Sequence, residues 1–372
     1  MKNIIICADS IEYMAKIPDN SVDLIFADPP YWMRVEGVLK RPEGKDFNGC
    51  NDEWDSFSSD FEYNEFSRKW LGECKRILKA NGSFWVIGSM QCIYTIGAIM
   101  QELGFWFIND VIWQKSNPTP NFMGTRLNNS HETLIWATKS KKSKFTFNYK
   151  TAKELNSEDN LFESKKQMGS VWKFPVCSGA ERLKDENGEK LHSTQKPLAL
   201  LERIVAISSK IGDLVFDPFG GTGTTAHAAK MLGRDFFLIE KEQKYVDFAL
   251  KRLENVKFIQ SDIASAKFDE KPLKVSIDDM INAGFLFLDE KFYLKNTNEF
   301  AILKNGAKLE FNGEFYDIHS LAAKLKNSSS QRLNGFKFWQ VKRDDKFILL
   351  DDVRQNFREK IIFTAFFQLN SA

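Results

Sequence analysis

The stretch Leu214–Glu240, LVFDPFGGTGTTAHAAKMLGRDFFLIE, decides how the rest of the chain is read. It contains a short apolar strand, a glycine-rich turn, a helical segment and a second apolar strand closed by a carboxylate. Glycines at such a turn let a ligand approach the backbone, and an acid at the tip of the next strand suits a ribose diol. The spacing is not the dinucleotide fingerprint, because Gly220-Gly221-Thr222-Gly223 has no third glycine three residues on. Nor does a Gly-Lys-Ser/Thr come next, as it would in a P-loop. The pattern fits an adenosine-bearing cofactor and disfavours nicotinamide dinucleotide and ATP. A tight turn without a ligand is the plain alternative.

Outward from this unit, β-branched and aromatic runs alternate with helix-length amphipathic stretches over about the first two-thirds of the 372 residues. That rhythm predicts an α/β fold with a doubly wound, mostly parallel sheet. Strands are expected at 4–7, 23–27, 82–87, 107–114, 133–137, 214–216 and 236–239. Helices are expected at 61–79, ending on Ala80-Asn81-Gly82 as a C-cap, and at 224–232 and 243–253. Residues 31–57 and 139–190 break the rhythm and read as long loops or insertions. After Lys267 short strand-like pieces (285–288, 292–294, 301–303, 308–311) precede a helical stretch at 318–325. A first domain over 1–265, a linker near 266–274 and a small α+β domain over 275–372 are expected.

Charge is nearly balanced, with 52 Lys and Arg against 50 Asp and Glu, so a basic surface would have to arise by clustering, as in Lys139-Ser140-Lys141-Lys142-Ser143-Lys144. The five cysteines are scattered without a C-x-x-C pair or zinc-ligand spacing, which points to reduced thiols and no metal. The first apolar run is too short for a signal segment and no later one would span a bilayer, so a cytoplasmic protein without membrane contact is expected.

The second informative stretch is FADPPYW, Phe26–Trp32. Asp28 comes directly after a strand, and Pro29-Pro30 fixes an extended backbone with rigid carbonyl acceptors and no N–H. A carboxylate and a prolyl carbonyl side by side can accept both hydrogens of an exocyclic amine, while Tyr31 offers a face for a planar base. Two aimed acceptors make the delocalised lone pair of an aromatic amine available and stabilise positive charge growing on it. A proline turn that merely ends a strand is the alternative for these four residues.

Together the two stretches make the chain resemble the S-adenosylmethionine-dependent DNA amino-methyltransferases, in particular the circularly permuted β group, where the tetrapeptide precedes the cofactor loop. CADSIEYM (7–14), WQKSNPTPNF (113–122), NNSHETLIWATKS (128–140) and HSTQKPLALLERIV (192–205) match as well, so that nearly the whole chain is covered. YDIHSLAAKL (316–325) and NGFKFW (334–339) resemble the small domain of GANTC-specific adenine methyltransferases, a group that includes a cell-cycle-regulated bacterial enzyme.

The resemblance implies a Rossmann-like methyltransferase fold that takes S-adenosylmethionine and transfers its methyl group to adenine N6 of duplex DNA, with the base flipped out. Asp28, Pro29, Pro30 and Tyr31 would be catalytic. Asp9 would face the cofactor adenine and Glu240 its ribose. Asp217, Phe219, Gly221, Gly223 and Thr224 would hold its methionine and sugar, with Thr194 and Lys196 at the methionine end. Residues 139–190 would be the target-recognition element, with Lys141, Lys142, Lys144 and Phe145 on DNA together with Asn117, Asn121 and Arg126; a solvated loop would have the same composition. His131 and His192 are read as structural rather than as general bases. The C-terminal domain would help bind DNA or serve as a packing module. A homodimer and a separately encoded restriction endonuclease are the further partners the resemblance allows. Cytosine N4 is the alternative acceptor; an RNA or protein methyltransferase and a silent DNA-binding protein are the remaining readings.

Overall fold

A computed structural model describes residues 2–33, 39–40, 46–47, 55–121, 124–159, 166–184, 188, 190–191 and 194–370. These fall into two compact units, Met1–Glu270 and Lys271–Ala372.

In chain order the first unit runs β1 (Ile4–Cys7), α1 (Ser10–Met14), β2 (Val22–Ala27), the short pair β3 (Leu39–Lys40) and β4 (Asp46–Phe47), α2 (Asp60–Ile77), β5 (Leu78–Gly88), α3 (Ile93–Glu102), β6 (Trp106–Lys115) and β7 (His131–Thr138). It continues with α4 (Tyr149–Asp159), β8 (Val171–Phe174), α5 (Leu198–Ser208), β9 (Leu214–Asp217), α6 (Thr224–Met231), β10 (Asp235–Glu240) and α7 (Gln243–Glu254). Eight strands form one sheet in the order β1-β10-β9-β2-β5-β7-β6-β8. The first five are parallel; β7 runs antiparallel to both β5 and β6, and β8 is parallel to β6.

Helices cover both faces, as the near-continuous apolar runs of the central strands require. On one face Leu24, Trp85, Leu201, Ile204, Val215 and Leu238 pack with Ala226 and Ala229. On the other Ile25, Phe84, Val86, Phe216 and Phe237 pack with Met14, Trp70, Leu71 and Ile96. Because successive strand residues point to opposite faces, one strand feeds both cores. The doubly wound α/β class expected from the sequence is therefore the fold observed.

Three expectations are corrected. Residues Ala80-Asn81-Gly82 are not a C-cap: α2 stops at Ile77, Leu78 is already extended (φ −62°, ψ 132°), and β5 starts without an intervening turn. Gly82 serves close packing instead, since a Cβ there would lie 2.6 Å from Leu78 Cδ1 and 2.9 Å from the Asp23 carbonyl. Residues 139–190 are not one long loop, because α4 packs in the helix layer and β8 extends the sheet. Residues 285–288 are no strand; Leu286 is buried there while Phe287 and Leu288 are exposed.

The second unit is α8 (Ile277–Asn282), β11 (Lys291–Leu294), β12 (Phe300–Lys304), β13 (Lys308–Phe311), β14 (Glu314–Tyr316), α9 (Ile318–Leu325), β15 (Trp339–Arg343), β16 (Lys346–Leu349) and α10 (Leu350–Asn370). Its antiparallel sheet, ordered β14-β13-β12-β11-β15-β16, is closed on one face by helices around Phe292, Leu303, Leu309, Leu321, Trp339 and Val341. Asn312-Gly313, both at positive φ, makes the two-residue turn between β13 and β14.

Candidate active site

Parallel strands end together, so residues just past their carboxyl ends gather in one crevice. Asp28 comes directly after β2, Asp217 closes β9, Glu240 closes β10 and Asp9 lies two residues past β1. β2 and β9 are direct neighbours, with Leu24 opposite Val215 and Ile25 opposite Phe216. The tetrapeptide and the glycine loop therefore open on a single cavity, lined among others by Asp9, Asp28, Tyr31, Thr194, Lys196 and Glu240.

The glycine loop is held from beneath. Asp217, 2% exposed, accepts the Phe219 N–H at 2.9 Å and the Thr225 hydroxyl at 2.6 Å. Burial pushes its carboxyl up to about 7 despite these donors, with the charges of Asp28 and Glu240 adding to the push. Gly223 begins α6 in the left-handed region (φ 77°), and a Cβ there would stand 2.8 Å from Ala249 Cβ. The Thr224 hydroxyl accepts from Arg252 of α7 at 3.0 Å. Phe219 sits edge-on to Trp70 at 5.3 Å.

Glu240 accepts the N–H groups of Gly221 at 2.7 Å and Glu242 at 2.9 Å. Burial raises its carboxyl above the usual range against these two bonds. Asp9 caps α1 through the N–H groups of Ile11 (2.9 Å) and Glu12 (3.1 Å) while lining the cavity. A cavity with a carboxylate beside a turn at positive φ, and walls of Phe66, Phe219 and Leu201, fits an adenosyl group with a charged tail. Among the described residues no group of three or more His, Cys, Asp or Glu could hold a metal ion.

The tetrapeptide is braced on both sides. The Tyr63 hydroxyl donates to the Pro30 carbonyl at 2.8 Å. Asp55 accepts the N–H groups of Trp32 at 2.6 Å and Met33 at 2.9 Å, and Trp32 itself is left-handed (φ 50°). Its indole stacks on Tyr63 with centroids 5.5 Å apart.

Beneath Tyr31 lies a buried charge cluster. Lys196 Nζ is 2.7 Å from Asp28 Oδ2, 3.9 Å from Glu132 Oε2 and 5.0 Å from the Tyr31 ring centre. The Tyr31 hydroxyl donates to Glu132 Oε2 at 2.9 Å, and Lys115 Nζ is 2.8 Å from Glu132 Oε1. Burial pushes Asp28 up against the pull of Lys196. For Glu132 burial acts in the same sense, but Lys196 and Lys115 outweigh it and hold this carboxyl below its ordinary value. Burial alone would lower Lys196; Asp28 and Glu132 hold its ammonium above the usual lysine value.

Sequence reasoning misses Glu132, Lys115, Asp55 and Tyr63. A signal exists for the first two: a carboxylate near the start of one apolar strand and a lysine closing its antiparallel neighbour, where Trp113 opposes Glu132.

The residues assigned to DNA divide. β6 ends and β7 begins at the crevice, so the loop joining them, with Asn117, Asn121 and Arg126, lies at the cavity end of the sheet. Asn117 accepts the Val176 N–H at 2.7 Å, Asn121 donates to the Arg126 carbonyl at 2.7 Å, and Arg126 reaches Asn129 at 3.0 Å. Lys141, Lys142, Lys144 and Phe145 lie past the other end of β7. Lys144 donates its backbone N–H to Asn81 at 2.8 Å, Lys141 lies over Trp106 at 5.1 Å, and Phe145 packs edge-on to Trp136 at 5.3 Å. The lysine run therefore stands at the opposite end of the strands from Asp28, whereas Val176, just past β8 in the same expected recognition element, is bonded to Asn117 at the cavity end. His131 is exposed at the start of β7, and His192 lies outside the described residues.

Residues 22–251 match the family model for N6/N4 DNA methylases, described as DNA methylase. The chain is 49% identical to the type II methyltransferase M.HinfI of Haemophilus influenzae over 355 residues, covering 95% of this chain and 96% of that one. It is 41% identical to the type II methyltransferase M2.DpnII of Streptococcus pneumoniae over 254 residues, 68% of this chain and 90% of the relative. The solved PvuII DNA methyltransferase (cytosine-N4-specific) shares the fold, with a TM-score of 0.51 at 20% identity over 72% of this chain and 90% of its own.

Proposed function

Since this chain belongs to the N6/N4 DNA methylase family, we propose that it is a site-specific DNA methyltransferase acting on adenine N6 in duplex DNA. The observation that carries the reading is the meeting of Asp28 and the glycine loop on one cavity through the pairing of β2 with β9. S-adenosylmethionine supplies a methyl group on a positively charged sulfur when bound. Glu240 would hold its ribose, the turn from Phe219 to Thr224 its sugar and methionine, and Asp9 would face its adenine.

Asp28 and the Pro29 carbonyl accept the two hydrogens of the target amine. The Pro30 carbonyl, already bonded to Tyr63, keeps the prolines in place. Tyr31 stacks on the base, and its hydroxyl bond to Glu132 fixes the ring plane. As nitrogen gains positive charge, Asp28 stabilises it at short range in a site with little water; the proton then leaves to solvent. An amine stacked inside a duplex cannot reach this depth, so the adenine is extruded.

The order of the motifs, tetrapeptide before glycine loop, supports membership of the permuted β group. Kinship of the second unit with GANTC-specific enzymes supports GANTC as the target and a share of DNA binding for that unit. DNA would cross the crevice near Asn117, Asn121 and Arg126. A homodimer, a partner endonuclease and action in the cytoplasm complete the proposal. Among the described residues no helix is long and apolar enough to cross a membrane.

The test is to incubate the protein with labelled S-adenosylmethionine and unmethylated genomic DNA and map modified bases. N6-methyladenine in one short motif is expected. N4-methylcytosine would reassign the acceptor, and unlabelled DNA beside labelled RNA or protein would overturn the reading.

A further inference from the structure

The position that the target amine must take is already held by a side chain of the protein. Lys196, 6% exposed, lines the cavity and donates one N–H to the Thr194 carbonyl at 3.2 Å, while its Nζ is 2.7 Å from Asp28 Oδ2 and 5.0 Å from the centre of the Tyr31 ring. Asp28 is the group that must hold the amine, and the Tyr31 ring the one that must hold the plane of the base. The ammonium cannot stay there during reaction, because an Asp28 neutralised by Lys196 has little charge left to offer a nitrogen that is turning positive. It cannot leave for solvent cheaply either, since it is enclosed.

A second acceptor is in reach. Glu132 Oε1 is bound to Lys115 at 2.8 Å, while Oε2 takes one hydrogen bond from Tyr31 and stands 3.9 Å from Lys196 Nζ. A shift of about one ångström would bring Lys196 to hydrogen-bond distance of Oε2. Two carboxylates and two ammonium groups make the cluster neutral before and after that shift. Only the pairing changes, and Asp28 is released with its full charge.

We propose that Lys196 is a placeholder for the target amine and that Glu132 is the counter-ion which receives it when the base enters. Both are positioning residues acting through Asp28. The placeholder role rests on the methyltransferase reading and deepens it: the DNA-free enzyme keeps its orienting carboxylate occupied, and only a base carrying an amine displaces the occupant.

The test is a double-variant cycle read by single-turnover methylation at saturating DNA and S-adenosylmethionine. Glu132→Gln strands the ammonium on Asp28 and slows transfer by about tenfold or more. Adding Lys196→Met to it removes the occupant, so the double variant is faster than Glu132→Gln alone. Residues that merely support the fold would give the reverse, and a double variant as slow as or slower than Glu132→Gln overturns the proposal.

A second measurement does not depend on Glu132→Gln folding. The affinity of Lys196→Met is compared for a target duplex and for one carrying purine, which lacks the amine, in place of the target adenine. The preference for adenine is expected to rise several-fold over wild type; an unchanged or smaller preference overturns the placeholder role. Wild-type protein that fails to methylate DNA at all would refute the underlying reading instead.

Discussion

Thr225 donates its hydroxyl to Asp217 across 2.6 Å, tying the first turn of α6 to the end of β9 from below the glycine loop. Burial holds this carboxyl at about 7, so the folded protein takes up a proton there that the unfolded chain lacks at mildly acidic pH. For an acid whose folded value is raised, stability is fully present below the ordinary aspartate value and is lost as pH rises to about 7. The slope is at most about 1.4 kcal/mol per pH unit. Denaturant unfolding of wild type and Asp217→Asn at pH 5 and pH 7.5 should show wild type gaining relative to the variant at pH 5. A difference independent of pH would refute the raised value.

Gly223 is left-handed and has no room for a Cβ against Ala249. Gly223→Ala is expected to destabilise the first unit by about 1–3 kcal/mol and to weaken S-adenosylmethionine binding. Urea unfolding and calorimetry measure the two effects.

Asp55 holds the strained turn after the tetrapeptide by two backbone N–H groups. In Asp55→Asn one of those donors meets an amide nitrogen, at a cost of about 1–3 kcal/mol. The rate of methyl transfer should fall while cofactor affinity holds, because Glu240 and the glycine loop are untouched. Equal losses in both would argue against a role confined to the turn at Trp32 and Met33.

Removing the charge of Asp28 by Asp28→Asn should lower single-turnover methylation by about 100-fold or more. S-adenosylmethionine should still bind. A variant retaining full methylation would refute the orienting role.

Glu240→Ala removes the carboxylate between Gly221 and Glu242. Cofactor affinity is expected to drop about 10- to 100-fold, the worth of hydrogen bonds to a charged group. Methylation at saturating cofactor should recover most of the wild-type rate.

The doubly wound sheet is legible in the sequence because β2, β9 and β10 are apolar runs bounded by turn chemistry, and the expected strands at 4–7 and 214–216 match β1 and β9 almost to the residue. β8 and α4 are not legible, since VWKF alternates over only four residues and α4 sits in a charged stretch whose composition reads as loop. The α2–β5 junction misleads for a different reason. Asn-Gly is strong turn chemistry, yet here Gly82 is dictated by the nearness of Asp23 and Leu78, a tertiary fact. Of the site, Asp28, Tyr31 and Glu240 stand at strand ends and can be found by pattern. Glu132 meets Lys115 through the pairing of β6 with β7 and Lys196 through the tertiary approach of the segment before α5. The position of the lysine run, at the far end of β7 from Asp28, is not legible either, because composition does not say at which end of a strand a loop emerges.

β2 and β9 are neighbours in the sheet but far apart along the chain, as the bond from the Leu214 N–H to Asp23, 191 residues apart, makes plain. During synthesis at about 5–20 residues per second, β2 therefore waits about 10–40 s for its partner after it emerges. Through that interval the six-residue β2 (VDLIFA) is an unpaired edge of the sheet, and a mostly apolar edge is a site for pairing with other chains. The late closure of the sheet predicts slow refolding dominated by non-local pairing and a need for protection of nascent chains truncated before β9.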